Sequence, residues 1–197
     1  MLEGLAINIA KLFYDVKKRV EGPLSLEQTQ KIAELLEQYK SRTRKPEVED
    51  YQFLRNKPQD KKLKSKKHIS DYYLIDKENN AHYLIELKIG GDLDNKKARS
   101  EKEALLEQFA ILSNTLPPET KIRCLFATAY NRFGEDKEWK QERVKQFFAN
   151  GELLIGKDFW NFISKSTDGY EIVLDEYKKN SHLIKNALNS IKKAYLK

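Results

Sequence analysis

Residues 68–90, His68-Ile-Ser-Asp-Tyr-Tyr-Leu-Ile-Asp-Lys-Glu-Asn-Asn-Ala-His-Tyr-Leu-Ile-Glu-Leu-Lys-Ile-Gly90, decide how this chain folds. Two runs rich in β-branched and aromatic residues flank Lys77-Glu-Asn-Asn80, the composition of a hairpin with its turn at 77–80. That turn pairs positions whose numbers sum to 157 and sets Asp71 opposite Glu86. Directly opposed residues have Cβ atoms about 4.5–5.5 Å apart, close enough for two carboxylates to share one hard cation. Alternation along the second strand puts Lys88 on the same face as Glu86.

Glu-x-Lys spacing by itself is uninformative, because Glu119/Lys121, Glu135/Lys137, Glu138/Lys140 and Glu176/Lys178 repeat it. Glu86/Lys88 differs in context: it ends a strand, faces an aspartate and precedes a glycine pair. Tyr72, Leu74, Tyr83, Ile85 and Leu87 occupy one face of the hairpin, while Tyr73, Ile75 and Leu84 share the other with the charged trio. An exposed cross-strand charge pair is the plain alternative, but charges within a sheet covered on both sides are costly unless they bind something. Asp71 and Glu86, with the Leu87 backbone carbonyl, are the expected ligands of Mg²⁺, and Lys88 the group that polarises an attacking water. This donor set suits phosphodiester hydrolysis. Glu34 and Glu37 are further acids, better explained as solvated helix charges.

Two basic clusters bracket the hairpin. Lys61, Lys62, Lys64, Lys66 and Lys67 precede it, and Lys96, Lys97, Arg99 and Lys102 follow it. Either could be a solvated loop or helix start, but together around an acidic site they favour a nucleic acid as substrate. The chain's 37 basic and 30 acidic residues give a net charge of +7, in the same direction, although a lysine- and glutamate-rich surface produces that number unaided.

One cysteine in 197 residues excludes an internal disulfide framework and a thiolate zinc cage, and fits a reducing, cytoplasmic setting. No apolar run approaches the roughly 20 residues of a membrane span, so a soluble protein is expected. His82 lies four strand positions from Glu86, about 13 Å away, which disfavours a histidine-metal nuclease. Phosphate-loop and serine-nucleophile motifs are missing as well.

The chain is short enough for a single domain, 1–197, divided into a mainly helical part (1–60), a catalytic core (61–130) and a C-terminal part (131–197). Residues 2–21 are expected as one amphipathic helix stopped by Gly22-Pro23, and Ser25 with Gln28 marks a capping box for the next. A loop-like stretch covers 41–67, with a short helix near Tyr51–Leu54. A helix over 98–114, a buried strand over 121–130, a helix over 139–150, a short strand at 152–155 and a helical turn at 157–164 follow. Tyr170 to Leu174 is expected as a strand, with Asp175 capping a last helix. The fold class is therefore α/β: a mixed sheet of four or five strands with helices on both faces.

Asp71 followed by Glu86-Leu87-Lys88 resembles the PD-(D/E)xK nuclease superfamily, with Ser70 where the name has proline. The stretches 86–108 and Leu154-Ile-Gly-Lys-Asp-Phe-Trp-Asn-Phe-Ile163 resemble type II restriction endonucleases, the second being similar to TdeIII-like enzymes. This resemblance, carried with the hairpin by about a quarter of the chain, implies a restriction-endonuclease-like fold and Mg²⁺-dependent cleavage of double-stranded DNA at a palindrome. It further implies a homodimer, a companion DNA methyltransferase and, through the TdeIII likeness, a GGNCC-type target. A junction resolvase or nicking enzyme of the same fold, or a non-catalytic DNA-binding protein with a degenerate core, are the alternatives.

Overall fold

The computed structural model describes residues 2–55 and 63–195. Five strands form one mixed sheet in the order β1 (Asp15–Ser25), β2 (Leu63–Asp76), β3 (Ala81–Lys88), β4 (Lys121–Thr128) and β5 (Leu153–Ile155). The first three are antiparallel, and β3, β4 and β5 run parallel. The expected α/β class with helices on both faces is what the chain adopts. One face is covered by α2 (Leu26–Lys40) and α3 (Asn95–Thr115); their Leu35, Leu36, Leu105 and Phe109 bury with Tyr73, Leu84 and Phe126 of the sheet. The other carries α1 (Leu2–Ala10) and α5 (Lys157–Ile163), whose Ala6, Phe159 and Trp160 bury with Tyr72, Leu74, Ile85 and Leu87.

The hairpin register is the expected one. Tyr72 pairs with Ile85 and Asp76 with Ala81, across the turn at 77–80. Ser25 caps α2 with both bonds of the capping box, and Ile32, Leu35, Leu36 and Tyr39 are its buried stripe. A 3₁₀ segment, Val48–Leu54, occupies the expected short helix.

Four expectations fail, each for a local reason. The helix over 2–21 stops at Ala10, and 15–25 is the edge strand β1. Charged side chains and a proline are what an edge tolerates, since only every second N–H of an edge strand points to a neighbour, and Lys17-Lys18-Arg19 guards an open strand. The loop expected up to Lys67 ends earlier, because β1 recruits 63–67 as the start of β2. Only Glu142–Lys145 (α4) of the expected 139–150 helix forms. Beyond it the backbone folds around the buried Glu152, which accepts the Ala149 N–H at 2.7 Å. Finally, 170–174 lies in helix α6 (Gly169–Lys179), with Asp175 inside it, and the closing helix is α7 (Ser181–Tyr195). Tyr170, Val173, Leu174 and Tyr177 have helical spacing, which prevails over their strand-like composition.

At Ser70–Tyr72 the β1/β2 ladder slips. Lys17 pairs with Tyr73 but Arg19 pairs with Ile69, so three residues of β2 stand opposite Lys18 alone. The inward-facing side chains change parity across this bulge. Tyr73 faces α3 on one side of it, whereas Lys66 and His68 face Glu107 of α3 on the other. Among the described residues no helix is long and apolar enough to cross a membrane.

Candidate active site

The bulge and the end of β3 bring the acidic residues together. Asp71 sits on the bulge, exposed, and its Oδ2 accepts the Leu87 backbone N–H at 3.2 Å. This side-chain bond takes the place of a ladder bond just beyond the last regular pair, Tyr72 with Ile85, and ties Asp71 to the catalytic strand candidate β3. Glu86 is buried and touches the ammonium of Lys88, which also lies 3.0 Å from Glu101 Oε1 on α3.

The electrostatics of this cluster are unbalanced. Burial pushes the Glu86 carboxyl up to about 8; the hydrogen bond from Lys88 offsets part of that shift, and the charges of Asp71 and Glu101 add to it. Burial also works against the charge on Lys88, but contact with Glu86 and Glu101 outweighs it and holds the amine protonated above the usual lysine range. A carboxylate this costly to ionise, next to a second exposed carboxylate, is a place where a cation would relieve the penalty.

The donors fit a hard cation. Mg²⁺ is commonly held by one or two carboxylates and completed by water and substrate phosphate, which matches Asp71, Glu86 and a backbone carbonyl at Leu87. Among the described residues no group of three or more His, Cys, Asp and Glu side chains is placed to hold a metal ion. Glu34 and Glu37 pair instead with Lys31 and Lys40 on the surface of α2.

Glu101 is the residue the sequence did not single out. It lies in a helix where every second or third residue is charged, and only the crossing of α3 over the end of β3 distinguishes it from Glu103.

The basic residues divide. Lys61 and Lys62 lie outside the described residues. Lys64 is exposed on β2 with no ion-pair partner among the described residues; Lys66 is 2.5 Å from Glu107, and Lys67 is 3.5 Å from Glu21. His68 Nε2 stands 2.9 Å from Glu107 Oε2, an ion-pair distance without the alignment of a hydrogen bond. Burial alone would raise the Glu107 carboxyl, but His68 and Lys66 bring it below the ordinary range. Lys96 and Lys97 are exposed on the first turn of α3, where Asp94 caps the helix through the Lys97 N–H at 2.8 Å, and Arg99 pairs with Glu103. Lys102, expected with that cluster, is instead fully buried: its Nζ bonds Glu152 at 2.6 Å and Tyr51 at 3.1 Å, within 6 Å of three aromatic rings. The aromatics of 154–163 are core, as Phe159 and Trp160 show.

A family model described as type II restriction endonuclease, HinfI, matches residues 1–181. Comparison with curated proteins and with solved structures gave no match.

Proposed function

Because this chain belongs to the HinfI family of type II restriction endonucleases, which act on double-stranded DNA, we propose that β2 and β3 carry its cleavage centre in the PD-(D/E)xK manner. The observation that supports this most is the bond of Asp71 to the Leu87 amide between Glu86 and Lys88, which touch each other, with the Glu86 carboxyl raised to about 8 by burial. Asp71, Glu86 and the Leu87 carbonyl would hold Mg²⁺. When bound, the ion neutralises charge on the scissile phosphate and acidifies water.

The chain's own groups do the remainder. Asp71 is kept in place by the Leu87 amide. Lys88, held protonated, acts as a donor and not as a base: it orients the attacking water and stabilises the phosphate oxygens as their charge grows. Glu101 keeps Lys88 at its post when Glu86 turns toward a cation. Lys61, Lys62, Lys64, Lys66 and Lys67, with Lys96, Lys97 and Arg99, grip the DNA backbone on either side.

In this reading 1–197 is one nuclease domain that works as a homodimer on a palindrome, alongside a DNA methyltransferase that protects the host. The test is digestion of an unmodified plasmid with and without Mg²⁺. Discrete, reproducible fragments that vanish with EDTA support the reading; a metal-independent pattern, or structure-dependent nicking, would overturn it.

A further inference from the structure

β3 and β4 are parallel, and Lys88 pairs with Thr128, so the loops leaving the two strands emerge side by side next to Lys88. The second of these, Ala129 to Gln141, is tightly built. Asn131, 8% exposed, accepts the Phe133 N–H at 3.0 Å and donates to the Lys137 carbonyl at 2.7 Å, and its own N–H goes to Glu135 at 2.7 Å. Glu135 also accepts the Lys157 N–H at 3.0 Å, fastening the loop to the start of α5. Gly134, at φ 108°, completes a turn that a side-chain-bearing residue would strain.

What this fixed loop displays is unusual for a solvated turn. Tyr130 is 44% exposed and Phe133 36%, beside Ile89 at 49% from the neighbouring loop. Arg132 reaches across to Asp92 at 2.6 Å, with its guanidinium 5.9 Å from the Phe133 ring. Scattered apolar groups on a surface need no explanation, but here two aromatic side chains flank an arginine in sequence on a rigid support, and one of them, Phe133, lies against its guanidinium. The Arg132–Asp92 pair is largely exposed, hence weak, and the guanidinium can exchange partners at little cost.

The geometry points to loop 130–133 as a base-reading element: we propose that Arg132 contacts a base edge beside the cut phosphate, while Tyr130 and Phe133 pack against the same DNA. This rests on the centre proposed above. Asp92 is four residues beyond Lys88, at most about 13 Å away, which is about four base steps at 3.4 Å each. An arginine fork fits the two acceptors of a guanine best.

Arg132→Ala and Arg132→Lys separate a base contact from a charge contact, since lysine keeps the charge and loses the fork. Cleavage would be measured on duplexes carrying the wild-type target and every single-base change, and binding to an unrelated duplex would be measured in Ca²⁺. Both variants are expected to lose about tenfold or more in discrimination at one G·C position within about four steps of the cut. Arg132→Lys should bind the unrelated duplex as the wild type does. Unchanged discrimination in both, a loss spread evenly over all positions, or a loss in Arg132→Ala that Arg132→Lys restores would overturn the assignment. A wild-type protein that cuts no duplex would overturn this proposal and the centre together; an active one with unchanged ratios overturns the loop alone.

Discussion

Lys88 Nζ lies 3.0 Å from Glu101 Oε1 while also contacting Glu86, so one ammonium joins a carboxylate of its own strand to one from the covering helix. Glu101→Gln removes half of that support. The expected result is a kcat lower by about tenfold with KM little changed, equivalent to about 1.4 kcal/mol in the barrier. Loss of a carboxylate lets the Lys88 proton leave more easily, so the alkaline limb of the rate profile should move to lower pH. An unmoved limb would assign Glu101 a purely structural role.

Asp71→Ala and Glu86→Ala should each abolish cleavage while leaving DNA binding in Ca²⁺ intact, because neither side chain is part of a basic cluster. Turnover at the wild-type rate in either variant would refute the metal centre.

Glu86 also makes a prediction about stability in metal-free solution. Its carboxyl titrates near 8 in the folded chain against an ordinary value of 4.5, so the folded form holds the proton more tightly. That contribution is complete below 4.5 and is lost as the pH rises through 8. Melting temperatures across this window should fall more steeply for the wild type than for Glu86→Gln. Parallel curves would contradict it.

Lys102→Met strands the carboxylate of Glu152 in the core, 1% exposed. Breaking a buried pair from one side costs about 3–5 kcal/mol, which at this chain length lowers the melting temperature by roughly 10 °C. Adding Glu152→Leu should recover only part of that loss in the same thermal scan, because it also leaves the Ala149 N–H and the Tyr51 hydroxyl without their acceptor.

Lys64→Ala is expected to weaken binding equally for every duplex and to reduce the slope of log affinity against log salt by about one. A loss confined to one sequence would mean that Lys64 meets bases.

Some of this was readable from the residues alone. The 77–80 turn and the alternation on either side of it determine the β2/β3 register as far as Tyr72 and Ile85, and just beyond that pair Asp71 accepts the Leu87 amide. Ser25 and Gln28 announced α2. β1 was hidden because its identity as a strand depends on pairing with residues about 50 positions away, while Lys17, Lys18 and Arg19 break any apolar alternation. Lys102 could not be told from its neighbours Lys96 and Lys97, since its neutralising Glu152 lies 50 residues downstream. Glu101 needed the crossing of α3 over β3, which no local pattern encodes.

The slip between Lys17/Tyr73 and Arg19/Ile69 makes chain length at this point more consequential than side-chain identity. Removing one residue between Ile69 and Tyr72 would let plain alternation keep Tyr73 and His68 on one side, whereas flattening the bulge at constant length would turn the outer half of the ribbon over. Lys66 and His68 would then swing to solvent, and Ile69, now 81% exposed, would press against Glu107. Polar exchanges at Ser65 or Lys67, both facing outward, leave that arrangement untouched. Homologous swaps and grafts across this segment should therefore be matched by residue count first.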